Sequence, residues 1–438
     1  MRTGSFMQIA VFIGFLVAGA AGVMIFGGKD KISESENRAL APYPVCSLRS
    51  MMSGGYFRQL ENFVADHIAF RDALVQISKY ISTWHGVAGR DSIVIVPSKA
   101  NNTSESQQVP QGSHVAEAVP VPERVVNGPA PAGRDAEPLQ DEKFRVQGKV
   151  AVVGDRAVNL FKYDAAAGQA YADAINDIGK ALDRAMPNQV RTSVLLAPTA
   201  AHFVRSAKLK SLSDSQKEAI DKVYGRIESK VKKVDVLSML EQHADESLYF
   251  RTDHHWTANG AYYAYAAYVQ SLGLQPAPLA SYSKGQAAGF LGSLYASTMN
   301  RRLAEHPDDV VYYMPSVKHQ YVVHYSGPLQ MPLIDLSHAQ RKNKYRIFLS
   351  GDRPWAQITT DVNNGRRLAV VKDSYGNAFV PFLLPHYSEI FVVDPRQFGQ
   401  SIAAFMQKRG IHELLFVNNA EVTMDLGFAE QLQKLIKE

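Results

Sequence analysis

The last third of the chain alternates between short apolar runs and amphipathic stretches. Leu368 to Val371 is apolar, Asp373-Ser374-Tyr375-Gly376 opens a helical stretch reaching about Leu384, and Glu389 to Val393 is apolar again. Gln400 to Lys408 reads as a helix, Glu413 to Val417 as a strand and Phe428 to Ile436 as a final helix. Apolar runs of this length suit strands buried on both faces, and strand–helix repeats imply a parallel sheet with helices over both sides. The predicted fold class is therefore α/β, with a three-layer α/β/α domain over residues 143–438. In such sheets reactive groups gather just beyond the carboxyl ends of the strands.

Upstream residues fit the same domain. Val150 to Leu160 reads as a hairpin turning at Gly154-Asp155. Helices are expected from about Ala165 to Met186 and from about Asp214 to Lys232, with strands at Thr192 to Ala197 and Val234 to Val236. Thr257 is placed to cap a helix whose stripe is Tyr262, Tyr265, Val269 and Leu272 and which stops at Gly273. Between Ser281 and Asp361, strands are expected near Val310 to Tyr313, Gln320 to His324 and Tyr345 to Leu349.

The N-terminal part is organised differently. Residues 6–28 are apolar except for Gln8, a run of about 20 residues, long enough to cross a bilayer. The run continues past the small residues Ala18-Gly19-Ala20 through Phe26, which favours an uncleaved signal anchor over a cleaved signal peptide. The rest of the chain then belongs on one side, outside the cytoplasm. Residues 29–96 read as a helical membrane-proximal segment. One stripe is Phe57, Leu60, Val64 and Ile68, a second is Leu74, Ile77, Ile81 and Trp84, and the chain bends near Phe70. Residues 97–142 are rich in Pro, Ser, Gln, Asn and Gly and read as a linker.

Of the 438 residues 46% are hydrophobic and 20% charged, so most of the chain can bury a core. The net charge of +5 is scattered, with no basic stripe interleaved with aromatics, which argues against nucleic-acid binding. Cys46 is the single cysteine, so no intrachain disulfide forms. It lies well beyond the apolar run and does not resemble a lipidation site.

Two motifs carry chemistry. In Asp253-His254-His255-Trp256, an extended backbone would put Asp253 and His255 on one face and His254 on the other. A carboxylate beside an imidazole fixes its tautomer and stabilises its protonated form, as a general base serving a hydroxyl requires. The same trio offers metal ligands, but neighbouring histidines diverge in a strand and no further ligand stands at a suitable spacing. No metal and no cofactor is expected. Ser374 directly follows the strand ending near Val371 and precedes a helix, the place where a hydroxyl is exposed beside helix-start N–H groups. Alone, Asp-Ser at such a strand–helix junction is more often just the N-cap of the helix.

Asp373-Ser374-x-Gly376 resembles the nucleophile block of SGNH hydrolases. Thr252-Asp253-x-His255-Trp256 with the later Val-Val-Lys-Asp-Ser-Tyr-Gly-Asn resembles the DHHW family and its relatives among alginate O-acetylation proteins. The resemblance covers most of the chain from about residue 144, together with the anchor and Glu36-Asn37-Arg38. It implies an SGNH-like fold outside the membrane, with Ser374 as nucleophile, His255 as general base and then acid, and Asp253 as its orienter. It further implies acyl transfer, in the first instance of acetyl groups, to or from exported or cell-surface polysaccharide, with a multi-spanning membrane-bound O-acyltransferase as acyl source. The chain lacks the SGNH blocks that supply an oxyanion hole, and Lys372 stands where those enzymes carry Gly. Candidate donors are Gly376, Asn377, the Ser374 N–H and Thr199 in the Pro198–Ala201 loop. The alternative is a catalytically inactive SGNH-like module that binds polysaccharide or scaffolds an envelope complex.

Overall fold

The computed structural model describes residues 150–436 apart from Ser326, together with 32–33, 38–39, 41, 43–44, 46, 51, 55–67 and 145–147. The apolar run at 6–28, the stripe from Leu74 to Trp84 and the linker at 97–142 lie outside the described residues. Among those described, no helix is long and apolar enough to cross a membrane. Gly55–His67 is a helix on which Phe57 and Val64 are exposed.

Thirteen strands matter for the site. β1 (Arg145–Gln147), β2 (Val150–Val153) and β3 (Arg156–Asn159) form a small antiparallel sheet that contains the expected hairpin. β4 (Arg191–Ala197) and β5 (Lys232–Lys233) follow, then the antiparallel pair β6 (Ser283–Phe290) and β7 (Asp308–Met314). β8 (His319–His324), β9 (Pro328–Met331), β10 (Trp355–Thr360), β11 (Arg367–Lys372), β12 (Glu389–Val393) and β13 (Glu413–Asn419) complete the set. The helices used below are α1 (Ala165–Ala185), α2 (Gln216–Arg226), α3 (Val236–Gln242), α4 (Ala258–Ser271), α5 (Ile402–Arg409) and α6 (Gly427–Lys434).

The central sheet has eight strands in the order β9-β8-β10-β12-β11-β13-β4-β5. The run from β12 to β5 is parallel, as the alternating sequence predicts. β10, β8 and β9 extend it antiparallel, which the irregular sequence of that region did not reveal. Successive residues of a strand point to opposite faces, and here both faces are apolar. On β11, Leu368 and Val370 enter the core that contains α3 and α4, while Ala369 and Val371 enter the core that contains α1, α2, α5 and α6. The result is a mixed α/β fold with a large central sheet covered on both sides.

Two expected strands are absent. Asp235 accepts a hydrogen bond from Ser238 N and so starts α3, leaving only Lys232–Lys233 to pair with β4. Tyr345 to Leu349 folds largely as the 3-10 turn Lys344–Ile347, because Leu349, Ser350 and Gly351 adopt left-handed φ of 54°, 55° and 88° and reverse the chain. Thr257 caps α4 by accepting from Gly260 N.

Candidate active site

The Asp-His-His-Trp stretch is a tight loop and not the extended segment expected. Tyr249 and Trp256 form an isolated antiparallel bridge, and Thr257 N donates to Leu248 O at 2.9 Å, so residues 251–255 bend between them. Asp253 and His255 meet through an Asx turn: Asp253 Oδ1 accepts from His255 N at 3.0 Å and pairs with His255 Nδ1 at 2.6 Å. His254 does not point away. Its ring tilts over that of His255 with centroids 3.8 Å apart, and its Nδ1 pairs with Ser293 Oγ at 2.6 Å.

Neighbouring elements fix this loop. Asp308 on β7 is buried and accepts from Arg251 N, Thr252 N and Thr252 Oγ1 at 3.0, 2.8 and 2.6 Å. Ser293 N donates to Asp253 Oδ2 at 2.8 Å. Position 292 must be glycine, because a Cβ there would stand 2.3 Å from the Asp253 Cβ. Burial raises the Asp253 carboxyl, but His255, His254 and its hydrogen bonds outweigh burial and hold it well below the usual carboxylate range. Burial, then the neighbouring His255, keeps His254 below the usual imidazole range.

Ser374 stands just beyond the carboxyl end of the central strand β11. Gly376 N donates to Asp373 O at 3.0 Å, closing the turn. Asp373 braces it by accepting from Tyr375 N at 2.9 Å and from Asn419 N and Nδ2 at 2.8 and 3.0 Å, although burial still pushes its carboxyl up to about 6. The structure joins the two motifs here: His255 Nε2 pairs with Ser374 Oγ at 2.7 Å. Trp256 Nε1 donates to Tyr375 O at 2.9 Å and Tyr375 Oη to His254 O at 2.7 Å, lacing the segments together. Trp256 is fully buried, so its face is closed to a sugar. Tyr345 stacks on His255 at 3.7 Å and 9°, and its hydroxyl donates to Ser374 O at 3.0 Å.

The candidate oxyanion donors are mostly engaged. Thr199 N donates to Gln216 Oε1 at 2.7 Å and Thr199 Oγ1 accepts from Gln216 Nε2 at 2.8 Å. Gly376 N is used in the turn, Asn377 N donates to Ser374 O at 3.2 Å, and Asn377 Nδ2 donates to Asp352 Oδ1 at 2.9 Å. Ser374 N–H is the one of the set without a hydrogen bond among the described residues.

Lys372 lies beneath this end of the sheet. Its buried Nζ meets Asp352 Oδ1 at 2.6 Å, and Arg396 bridges Asp352 at 2.7 Å and the fully buried Asp394 at 2.5 Å. Gly376 accommodates it, since a Cβ there would stand 2.5 Å from the Lys372 Cβ. Reading the sequence missed Asp308, Ser293, Tyr345 and Asp352, which lie 38 to 97 positions from His255. The Ser350-Gly351-Asp352 turn was the one local signal. Among the described residues, Asp253, His254 and His255 are also the one trio with metal-type ligand atoms within 4.8 Å of each other. Both His255 nitrogens are committed to Asp253 and Ser374, so an ion there would compete with that pairing.

Fold and site together define an α/β protein with a Ser–His–Asp hydrogen-bonded chain at the carboxyl edge of its central sheet. The family model described as DHHW protein matches residues 95–393, more than half of the chain, and the chain belongs to the DHHW family. It is similar to the crystal structure of a DHHW family protein from Eubacterium siraeum, at 28% identity and a TM-score of 0.61, over 66% of this chain and 96% of that one. Bacillus cereus PatB1 with a sulfonyl adduct is 19% identical at a TM-score of 0.53, over 64% of this chain and 98% of its own. The O-acetyltransferase domain of Pseudomonas putida AlgJ is more distant, 16% identical at a TM-score of 0.38, over 65% of this chain and 96% of its own. No curated protein matches the sequence.

Proposed function

We propose that this protein is a serine O-acyltransferase or esterase that moves acetyl groups on exported or cell-surface polysaccharide. The observation that carries the reading is the continuous chain Asp253–His255–Ser374, with links of 2.6 and 2.7 Å. Ser374 Oγ attacks the acyl carbonyl carbon while its proton passes to His255 Nε2. The imidazolium, stabilised through Nδ1–H by Asp253, returns that proton to the departing oxygen, leaving acetyl-Ser374. A sugar hydroxyl, or water in the esterase direction, then gives its proton to Nε2 and takes the acetyl group, and Nε2 returns that proton to the departing Ser374 Oγ. The Ser374 N–H is the donor suited to the oxyanion. The reading also places residues 6–28 in the lipid bilayer with the remaining chain outside the cytoplasm, and takes acyl groups from a multi-spanning membrane-bound O-acyltransferase.

The full chain should release acetate from a small aryl acetate, and Ser374→Ala and His255→Ala should abolish release. A transferase hydrolyses poorly, so the acetyl content of surface glycan in a Ser374→Ala strain decides the matter. Unchanged glycan acetylation there, together with aryl acetate turnover equal to wild type, would sink the enzymatic reading in favour of the inactive binding module. A sulfonyl fluoride offers a second probe, with labelling expected on Ser374 and lost in Ser374→Ala.

A further inference from the structure

The turn Leu349–Arg353 has a second face, and its charge is not balanced. Arg353 is 7% exposed and Arg346 half-buried, and both donate to one carbonyl, Ser350 O, through Nη2 at 2.7 and 3.4 Å. Two like-charged guanidinium groups are thus held at a single acceptor. Neither makes an ion pair with a carboxylate among the described residues, and the buried Nε of each has no hydrogen-bond partner there. Asp352 makes no ion pair with them, although its charge acts on Arg346: it and Asp394 pair with Lys372 and Arg396. Asp335 accepts from Ser350 Oγ at 2.9 Å and lies 3.6 Å from His338 Nε2, and among the described residues it makes no ion pair with Arg341, Arg346 or Arg353. Burial, then the neighbouring Arg353, lowers the Arg346 guanidinium from its usual range. Buried cations without partners are costly and call for a counter-ion.

The cluster reaches the surface at Tyr325 and Arg341. Gly351 has φ 88°, and a Cβ there would come within 3.0 Å of Arg346 Nε, so the turn offers bare backbone beside the guanidinium. Tyr325 is partly exposed, takes a hydrogen bond from Arg353 Nη1 and lies under its guanidinium at 5.4 Å, forming the outer edge with exposed Arg341. The cluster also belongs to the segments that build the candidate active site. Tyr345, next to Arg346, stacks on His255, and Asp352, next to Arg353, holds Asn377.

We propose that Arg346 and Arg353, with Tyr325 and Arg341 at the rim, bind an oxyanion carried by the polysaccharide, a sugar carboxylate or a phosphate, and so select an acidic glycan as substrate. The polysaccharide rests on the function proposed above; the anion site rests on the unbalanced charge alone. Paired guanidinium groups suit the geometry of either oxyanion.

The test is equilibrium binding to the full chain carrying Ser374→Ala, so that no turnover intervenes. The probes are trigalacturonate, a glycerol-phosphate trimer and neutral maltotriose. At least one anionic probe should bind ten-fold or more tighter than maltotriose, weakening as salt rises, and whichever anion binds names the chemistry. Adding Arg346→Met or Arg353→Met should remove the preference, and Arg346→Lys should restore part of it. Arg346 is half-buried, so its variants stay informative if Arg353→Met fails to fold. Equal affinity for the three probes, or a preference that survives Arg346→Met, would overturn the assignment. Loss of glycan acetylation in the Ser374→Ala strain without anion preference leaves the enzymatic reading and removes this one; anion preference with unchanged acetylation does the reverse.

Discussion

At the scale of single residues, Asp253 does two jobs with one carboxylate. Oδ1 receives both the backbone and the ring N–H of His255, and Oδ2 receives the Ser293 N–H. Replacing it by Asn keeps the size but turns an amide donor toward one of those donors, so the His255 tautomer is no longer fixed. Asp253→Asn should therefore lower kcat for acetyl transfer by about 10³–10⁴-fold, measured with a chromogenic acetate. A fall of less than ten-fold would mean that Asp253 only supports the loop.

At the scale of elements, the candidate site depends on close approach between segments distant in sequence. The chain at Gly292 passes so near Asp253 that a single methyl would overlap it. Gly292 has φ −86° and ψ −160°, which any residue adopts, so its glycine is required by space and not by backbone conformation. Gly292→Ala should push the Asp253 loop away and reduce kcat at least ten-fold, with far-UV circular dichroism unchanged. A variant as active as wild type would show that the loop yields without loss. The loop was misread from the sequence for a related reason: alternation assumes an extended chain, whereas Asp308 on β7 gathers the Arg251 and Thr252 amides and bends it. Nothing near residue 253 announces Asp308.

At the scale of the whole molecule, buried charge and buried neutral imidazole set its response to conditions. Lys372 is 1% exposed, and its removal leaves the fully buried Asp394 and the half-buried Asp352 sharing Arg396. Lys372→Met should cost about 3–5 kcal/mol of unfolding free energy, read from denaturant titration; a change within error would mean that the network reorganises freely. Burial, then Arg346, lowers His338 to about 4, against an ordinary value of 6.5. The folded protein thus resists protonating it while the unfolded chain does not, so stability is full above about pH 6.5 and falls as pH drops toward 4. His338→Gln should flatten that decline, by up to about 1.4 kcal/mol per pH unit for one proton. An identical slope in wild type and variant would remove His338 as the cause.

Local order was legible in the sequence wherever one segment carries its own signal. Apolar runs marked β4, β11, β12 and β13 because strands buried on both faces have little choice of residue, and Thr257 and Gly273 bracketed α4. The position of Ser374 followed from the strand before it. Side-chain partnership was not legible, because it depends on separations that periodicity does not encode. The tertiary structure alone put His255 against Ser374, 119 positions away, and used Lys372 as one member of a buried charge network. It likewise drew Arg346 and Arg353 together at one carbonyl through three left-handed residues. Hydrophobic burial shapes each element through its own residues, whereas hydrogen bonds and ion pairs take whichever partner the assembled elements bring near.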